Sequence, residues 1–124
     1  ANSILCVVSQ RLIRKLCRYC RKRITVKKQN LPEFLRRNFP ENIDEINVYK
    51  ACGCSSCRGG YRGRTVIAEV LCFSEDVRQM ISEGKLDLLR QKNKEDGFIS
   101  LEKDAARLVK EGVTSLEEAI RVAG

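Results

Sequence analysis

Residues 3–20 read SILCVVSQRLIRKLCRYC, and the conformation of this stretch decides how the rest of the chain is arranged. Leu5, Val8, Leu12 and Leu16 recur at spacings of three and four, with Ile4, Val7 and Ile13 widening the stripe. That is the period of an amphipathic helix. Asn2 or Ser3 can cap it, and Arg11, Arg14 and Lys15 fall in its C-terminal half, where the helix dipole favours cations. The expectation is a helix over Ser3–Leu16 running into the cysteine pair Cys17/Cys20.

Further along, residues 24–50 read as polar and irregular, with a short helical segment in PEFLRRNF opened by Pro32 and stopped near Pro40. The stretch NIDEINVY reads as extended or loop. RTVIAEVLCF, residues 64–73, is rich in β-branched residues and is the clearest strand. From Ser74 onward the pattern is helical and punctuated by glycines. A first helix from Ser74 stops at Gly84, a second runs through KLDLLRQKNKED to Gly97, and Ser100 caps LEKDAARLVKEG. Ser115 with Glu118 forms a capping box for LEEAIRV. The fold class expected is mixed α/β and mainly α: an N-terminal helix, a knuckle subdomain with a short strand, and a C-terminal helical bundle.

Seven cysteines in 124 residues is an odd number, which argues against a complete disulfide framework and for a reducing, cytoplasmic compartment. Four of them form two CxxC pairs, Cys17/Cys20 and Cys54/Cys57. Two intervening residues let both sulfurs of a knuckle face one side, so two knuckles supply the four thiolates of a closed structural zinc site. Gly59 removes a Cβ where the second knuckle folds back. Cys52 is an alternative to Cys54 as partner of Cys57. Cys6 and Cys72 lie on apolar stretches, one expected in a helix and one in a strand, and read as small buried core residues.

The net charge of +8 is unevenly placed. Residues 1–32 contain Arg11, Arg14, Lys15, Arg18, Arg21, Lys22, Arg23, Lys27 and Lys28 and no acid. Such a block suits nucleic acid, an anionic membrane, an acidic protein or nucleotide phosphates; it also offsets thiolates, which Arg18, Arg21, Lys22, Arg58 and Arg64 are placed to do. No apolar run reaches the roughly 18 residues of a membrane-spanning helix. The chain begins with alanine and shows no leader pattern, which reads as a piece of a longer polypeptide. The run GGYRGRT has arginine where a phosphate-loop lysine belongs and leads into a strand instead of a helix. Histidine is absent, which removes the commonest general base. The residues present form no catalytic constellation.

SQRLIRKLCRYC, then GCSSCRGGYRGRTVIAEVL, then SLEKDAARLVKEGVTSLEEAIRV together resemble the C-terminal portion of the type II secretion and type IV pilus assembly ATPases. The resemblance implies a segment of a RecA-like, hexameric ATPase with a tetracysteine zinc subdomain. It carries the metal ligands to Cys17, Cys20, Cys54 and Cys57 and divides the chain into the end of an ATPase-core helix (1–16), a zinc-binding subdomain (17–63), a strand (64–73) and a helical subdomain (74–124). Walker A, Walker B and the other nucleotide motifs would lie upstream of Ala1, so ATP and Mg2+ belong to the parent and this chain alone should not hydrolyse ATP. The implied partners are other hexamer subunits and an inner-membrane platform or adaptor protein, with the parent cytoplasmic and peripheral to the inner membrane. Arg18 in the first knuckle, Val66 and Ala68 in the strand, and Cys52 depart from the family pattern. The competing reading is a stand-alone basic zinc ribbon that binds nucleic acid through Lys/Arg, with Tyr19 or Tyr61 stacking on bases.

Overall fold

The structure, a computed structural model, describes residues 5–73, 82, 84, 86–95 and 98–124. Residues Leu5–Leu16 form a strand, β1, and not the expected helix. It pairs antiparallel with β4, Tyr61–Phe73, in a register that sets Ile13 opposite Thr65 and Arg11 opposite Ile67. The helical stripe therefore never assembles. Ile13 and Ile67 are fully buried on the inner face, whereas Val8 and Leu12, two members of that stripe, are each 56% exposed on the outer one. The competing signal was in the same residues: Val7, Val8 and Ile13 are β-branched, and a second strand long enough to pair with all twelve residues follows the knuckles.

A second sheet forms where the sequence reads mostly as irregular: β2, Lys22–Lys27, pairs antiparallel with β3, Glu45–Lys50, the latter within the stretch NIDEINVYK, whose extended reading holds. Its alternation is readable in Ile24 and Val26 facing Val48 and Ile46, with Thr25 and Asn47 outside. Between them α1, Glu33–Arg36, follows Pro32 as expected and buries Leu35. The later helices α2 (Leu86–Glu95), α3 (Leu101–Lys110) and α4 (Leu116–Ala123) agree with the sequence reading. The helix expected from Ser74 to Gly84 lies outside the described residues except for Ser82 and Gly84. Ser100 accepts from the Lys103 N–H at 3.2 Å and Ser115 from the Glu118 N–H at 3.1 Å, so both caps form. Among the described residues strands and helices both contribute, so mixed α/β holds.

One apolar cluster joins these pieces: Ile13 and Ile67 from the β1/β4 ribbon, Leu35, Ile46 and Val48 from the middle of the chain, and Ala105, Leu108, Val109, Ala119 and Val122 from α3 and α4. The outward N–H groups of β4 find partners on the helical side. Ala68 donates to the Asp104 carboxylate at 2.9 Å, Val70 to the Ile99 carbonyl at 3.1 Å and Cys72 to the Asn93 side-chain oxygen at 2.8 Å. That strand edge is thereby closed to further pairing.

The fate of Cys6 and Cys72 also differs from expectation. They face each other across the ribbon and are joined by a disulfide, with Cys6 exposed and Cys72 half-buried. Neither is a core residue, because the pairing of β1 with β4 puts both on the outer face, among Val8, Leu12 and Val66.

Candidate metal centre

The β1/β4 ribbon carries the two knuckles at one end. Cys17 follows Leu16 directly, and its N–H donates to the Gly60 carbonyl at 2.8 Å just before β4 begins. The strand pairing thus brings residues 17–20 and 54–57 together although some thirty-seven positions separate them. The sulfurs of Cys17, Cys20, Cys54 and Cys57 all lie within 4.8 Å of one another. Cys17 to Cys54 is 3.8 Å, Cys20 to Cys57 is 3.7 Å and Cys54 to Cys57 is 3.6 Å. A tetrahedral ion with metal–sulfur bonds of about 2.3 Å requires sulfur–sulfur separations of about 3.8 Å. The cluster has the size of a tetrathiolate metal site.

Backbone donors aim at these sulfurs. The Gly53 N–H points to Cys20 Sγ and the Cys54 N–H to Cys57 Sγ, each at 3.3 Å, an arrangement that favours thiolate over thiol. Burial opposes ionisation of Cys17, but the N–H groups of Tyr19 and Cys20, with the neighbouring thiols, outweigh it and bring that thiol down to about 7. For Cys20 the Gly53 N–H favours the thiolate, yet burial and the three other sulfurs prevail and push it up to about 12. Cys54 is raised by the same competition, with the Ser56 N–H acting against burial and the sulfurs of Cys57 and Cys17. Four thiols this close cannot all ionise without a cation among them.

The glycine requirement of the second knuckle is divided between two residues. Gly59 has φ +61 with nothing near its missing Cβ, so its reason is backbone conformation. Gly60 has φ +97, and a Cβ there would sit 2.6 Å from Ala51 Cβ and 2.8 Å from the Cys52 nitrogen. The close approach expected at Gly59 occurs at Gly60. Cys52 is exposed and is not one of the four converging sulfurs.

The knuckles are also tied to the helical end. Leu16 N–H donates to the Val113 carbonyl at 2.8 Å, Arg21 to the Gly112 carbonyl at 2.5 Å while its guanidinium lies 4.1 Å from the centre of the Tyr49 ring, and Tyr61 Oη shares a hydrogen bond with Ser115 Oγ at 2.6 Å. The hydrogen bonds to the helical end were not legible in the sequence, because they join distant residues, such as Tyr61 with Ser115 at 54 positions and Arg21 with Gly112 at 91. Arg18, Lys22, Arg58 and Arg64 are exposed, and Tyr19, with Arg62 5.8 Å from its ring centre, is 77% exposed.

Four converging sulfurs between two knuckles, at the end of a strand ribbon packed on two capped helices, define a small module whose tetracysteine cluster could hold a metal ion. Its family is shown by comparison: the chain belongs to the type II/IV secretion system protein family, whose model matches residues 1–121. It is 36% identical over 98% of its length to the type IV pilus assembly ATPase PilB of Pseudomonas aeruginosa. It is 33% identical over 98% of its length to the type II secretion system ATPase E of Vibrio cholerae. It is 34% identical over 95% of its length to PilB of Thermus thermophilus. The chain spans 21%, 24% and 13% of those relatives, respectively.

Proposed function

We propose that this chain works as the C-terminal portion of a secretion or pilus-assembly traffic ATPase and that Cys17, Cys20, Cys54 and Cys57 hold one structural zinc ion there. The carrying observation is the set of sulfur–sulfur separations of 3.6–3.8 Å in a chain of this family. Four thiolates leave no open coordination position, so the ion braces the fold and does no chemistry on a substrate. In the parent, a RecA-like body would bind ATP and Mg2+ and assemble as a hexamer. This portion would supply rigid contacts to neighbouring subunits and to an inner-membrane platform or adaptor, on the cytoplasmic side. Among the described residues no helix is long and apolar enough to cross a membrane.

The test is metal content by mass spectrometry on the purified chain, with thiol titration before and after chelation. One zinc per chain, with four thiols exposed by chelation, is the expected result. A folded chain without metal, its thiols freely reactive, overturns the assignment.

One observation favours the nucleic-acid reading enough to test it. The register places Lys22 opposite Lys50, a like-charge pair of the kind that destabilises a sheet; Arg14, opposite Arg64, already has the Glu118 carboxylate as its anion. Binding to a DNA or RNA duplex that falls steeply with added salt and persists at physiological salt would support that reading; its absence there leaves the thiolate cluster as the anion.

A further inference from the structure

The β1/β4 ribbon is clasped at one end by the knuckles, and the pair Cys6/Cys72 stands at the other end. Leu16 lies ten steps along β1 from Cys6, a distance of about 33 Å for extended chain. Cys6 and Cys72 are direct register partners with their Cα atoms 4.1 Å apart. The Cys72 N–H is directed away from β1, to the Asn93 side-chain oxygen at 2.8 Å. The pair therefore occupies a non-hydrogen-bonded site, where facing side chains come closest. The strand register places the two cysteines opposite each other.

Access is asymmetric. Cys6 is exposed and Cys72 half-buried, so an incoming reagent meets Cys6 first and Cys72 is the internal second thiol. Cys52 is free and exposed, and it is neither joined to another cysteine nor one of the four converging sulfurs. The tetracysteine sulfurs lie at the opposite end of the ribbon. The structure holds two cysteine sites of different chemistry.

We propose that Cys6 and Cys72 form a thiol–disulfide exchange site for low-molecular-weight disulfides of the glutathione class, which reversibly fastens the free end of the ribbon. The Cys6 thiolate attacks one sulfur of the small disulfide; its S–S bond breaks and one small thiolate leaves. The Cys72 thiolate then attacks the Cys6 sulfur of the mixed disulfide and expels the second small thiolate. Two cysteine thiols are oxidised by two electrons, one small disulfide is reduced to two thiols, and the two protons pass to the thiolates released. Closure outruns accumulation of the mixed disulfide because the second thiol is already in place. The closed ring joins residues with a sequence separation of 66 and encloses all four knuckle cysteines. Separating β1 from β4 is then resisted at both ends.

The test treats the purified metal-bound chain with glutathione/glutathione disulfide mixtures of graded ratio, followed by alkylation, intact mass and peptide mapping. Amide exchange is read on residues 6–10 and 68–72. The expected result is one intramolecular link, Cys6 to Cys72, at a ratio where Cys52 carries at most a glutathione adduct and the metal is retained. Exchange at the ribbon end should then slow about tenfold or more relative to the dithiol form. In Cys6→Ser, which changes an exposed side chain, exchange should no longer depend on the redox mixture. Separate glutathione adducts on Cys6 and Cys72, a link from either to a knuckle cysteine with loss of metal, or redox-dependent exchange that survives in Cys6→Ser overturns the proposal.

Discussion

Glu118, 1% exposed in the last helix, accepts from both the Arg14 side chain at 2.5 Å and the Arg14 backbone N–H at 3.2 Å. Its other oxygen takes the Arg121 guanidinium. The residue expected to reach back and close a capping box instead binds the C-terminal part of strand β1, 104 positions earlier. Only the Ser115 half of the box is present.

That contact carries a stability and pH prediction. Burial works against the Glu118 carboxylate, but the hydrogen bonds from Arg121 and Arg14 and their charges prevail and hold it below the usual carboxylate range. An unfolded chain then binds a proton that the folded one refuses. The contribution is complete above the unfolded carboxylate value of about 4.3 and is lost as pH falls through the lower folded value. Glu118→Ala should cost about 2 kcal/mol near neutrality, less than a fully buried pair because both arginines can turn to solvent. Urea midpoints of wild type and Glu118→Gln should converge as pH is lowered below 4; parallel curves would contradict the assignment.

The ribbon makes a paired prediction that separates strand from helix. Ile67→Ala should cost about 3 kcal/mol, because Ile67 is 0% exposed. Leu12→Ala should cost less than about 0.5 kcal/mol in the isolated chain, since Leu12 is 56% exposed. A helix buried along the Leu5, Val8, Leu12, Leu16 stripe would reverse the second result. Chemical denaturation of the two variants decides it.

Gly60→Ala should destabilise the second knuckle far more than Gly59→Ala. Both glycines have positive φ, and strain of about 1 kcal/mol follows in each; only at Gly60 does the added carbon strike Ala51 and the Cys52 backbone. Metal retained against a chelator should fall in Gly60→Ala and stay near wild type in Gly59→Ala.

Removing the metal, or making Cys54→Ser, should loosen more than the knuckles. Leu16, Arg21 and Tyr61 bond to Val113, Gly112 and Ser115, so faster amide exchange is expected at residues 111–115 as well as 17–20 and 52–61. The interior of α3, with Ser100 as its cap and Ala105, Leu108 and Val109 in the core, should keep its protection. Exchange confined to the knuckles would show that the Arg21 and Tyr61 contacts transmit nothing.

The sequence by itself determined the parts whose signals are local. The two CxxC spacings, the strand in RTVIAEVLCF, the short helix after Pro32 and the serine caps at 100 and 115 depend on residues within a few positions of one another, where spacing and backbone preference act directly. Tertiary structure alone decided the conformation of residues 5–16. Helical and extended periods coexist there, and what selects between them is β4, about sixty residues on, which satisfies the backbone of β1 and buries Ile13 against Ile67. The same pairing put Cys6 opposite Cys72, drew Glu118 to Arg14, and brought Cys17 and Cys20 to Cys54 and Cys57. Sequence period reports which face a segment can bury; the partner that buries it is chosen by the rest of the chain.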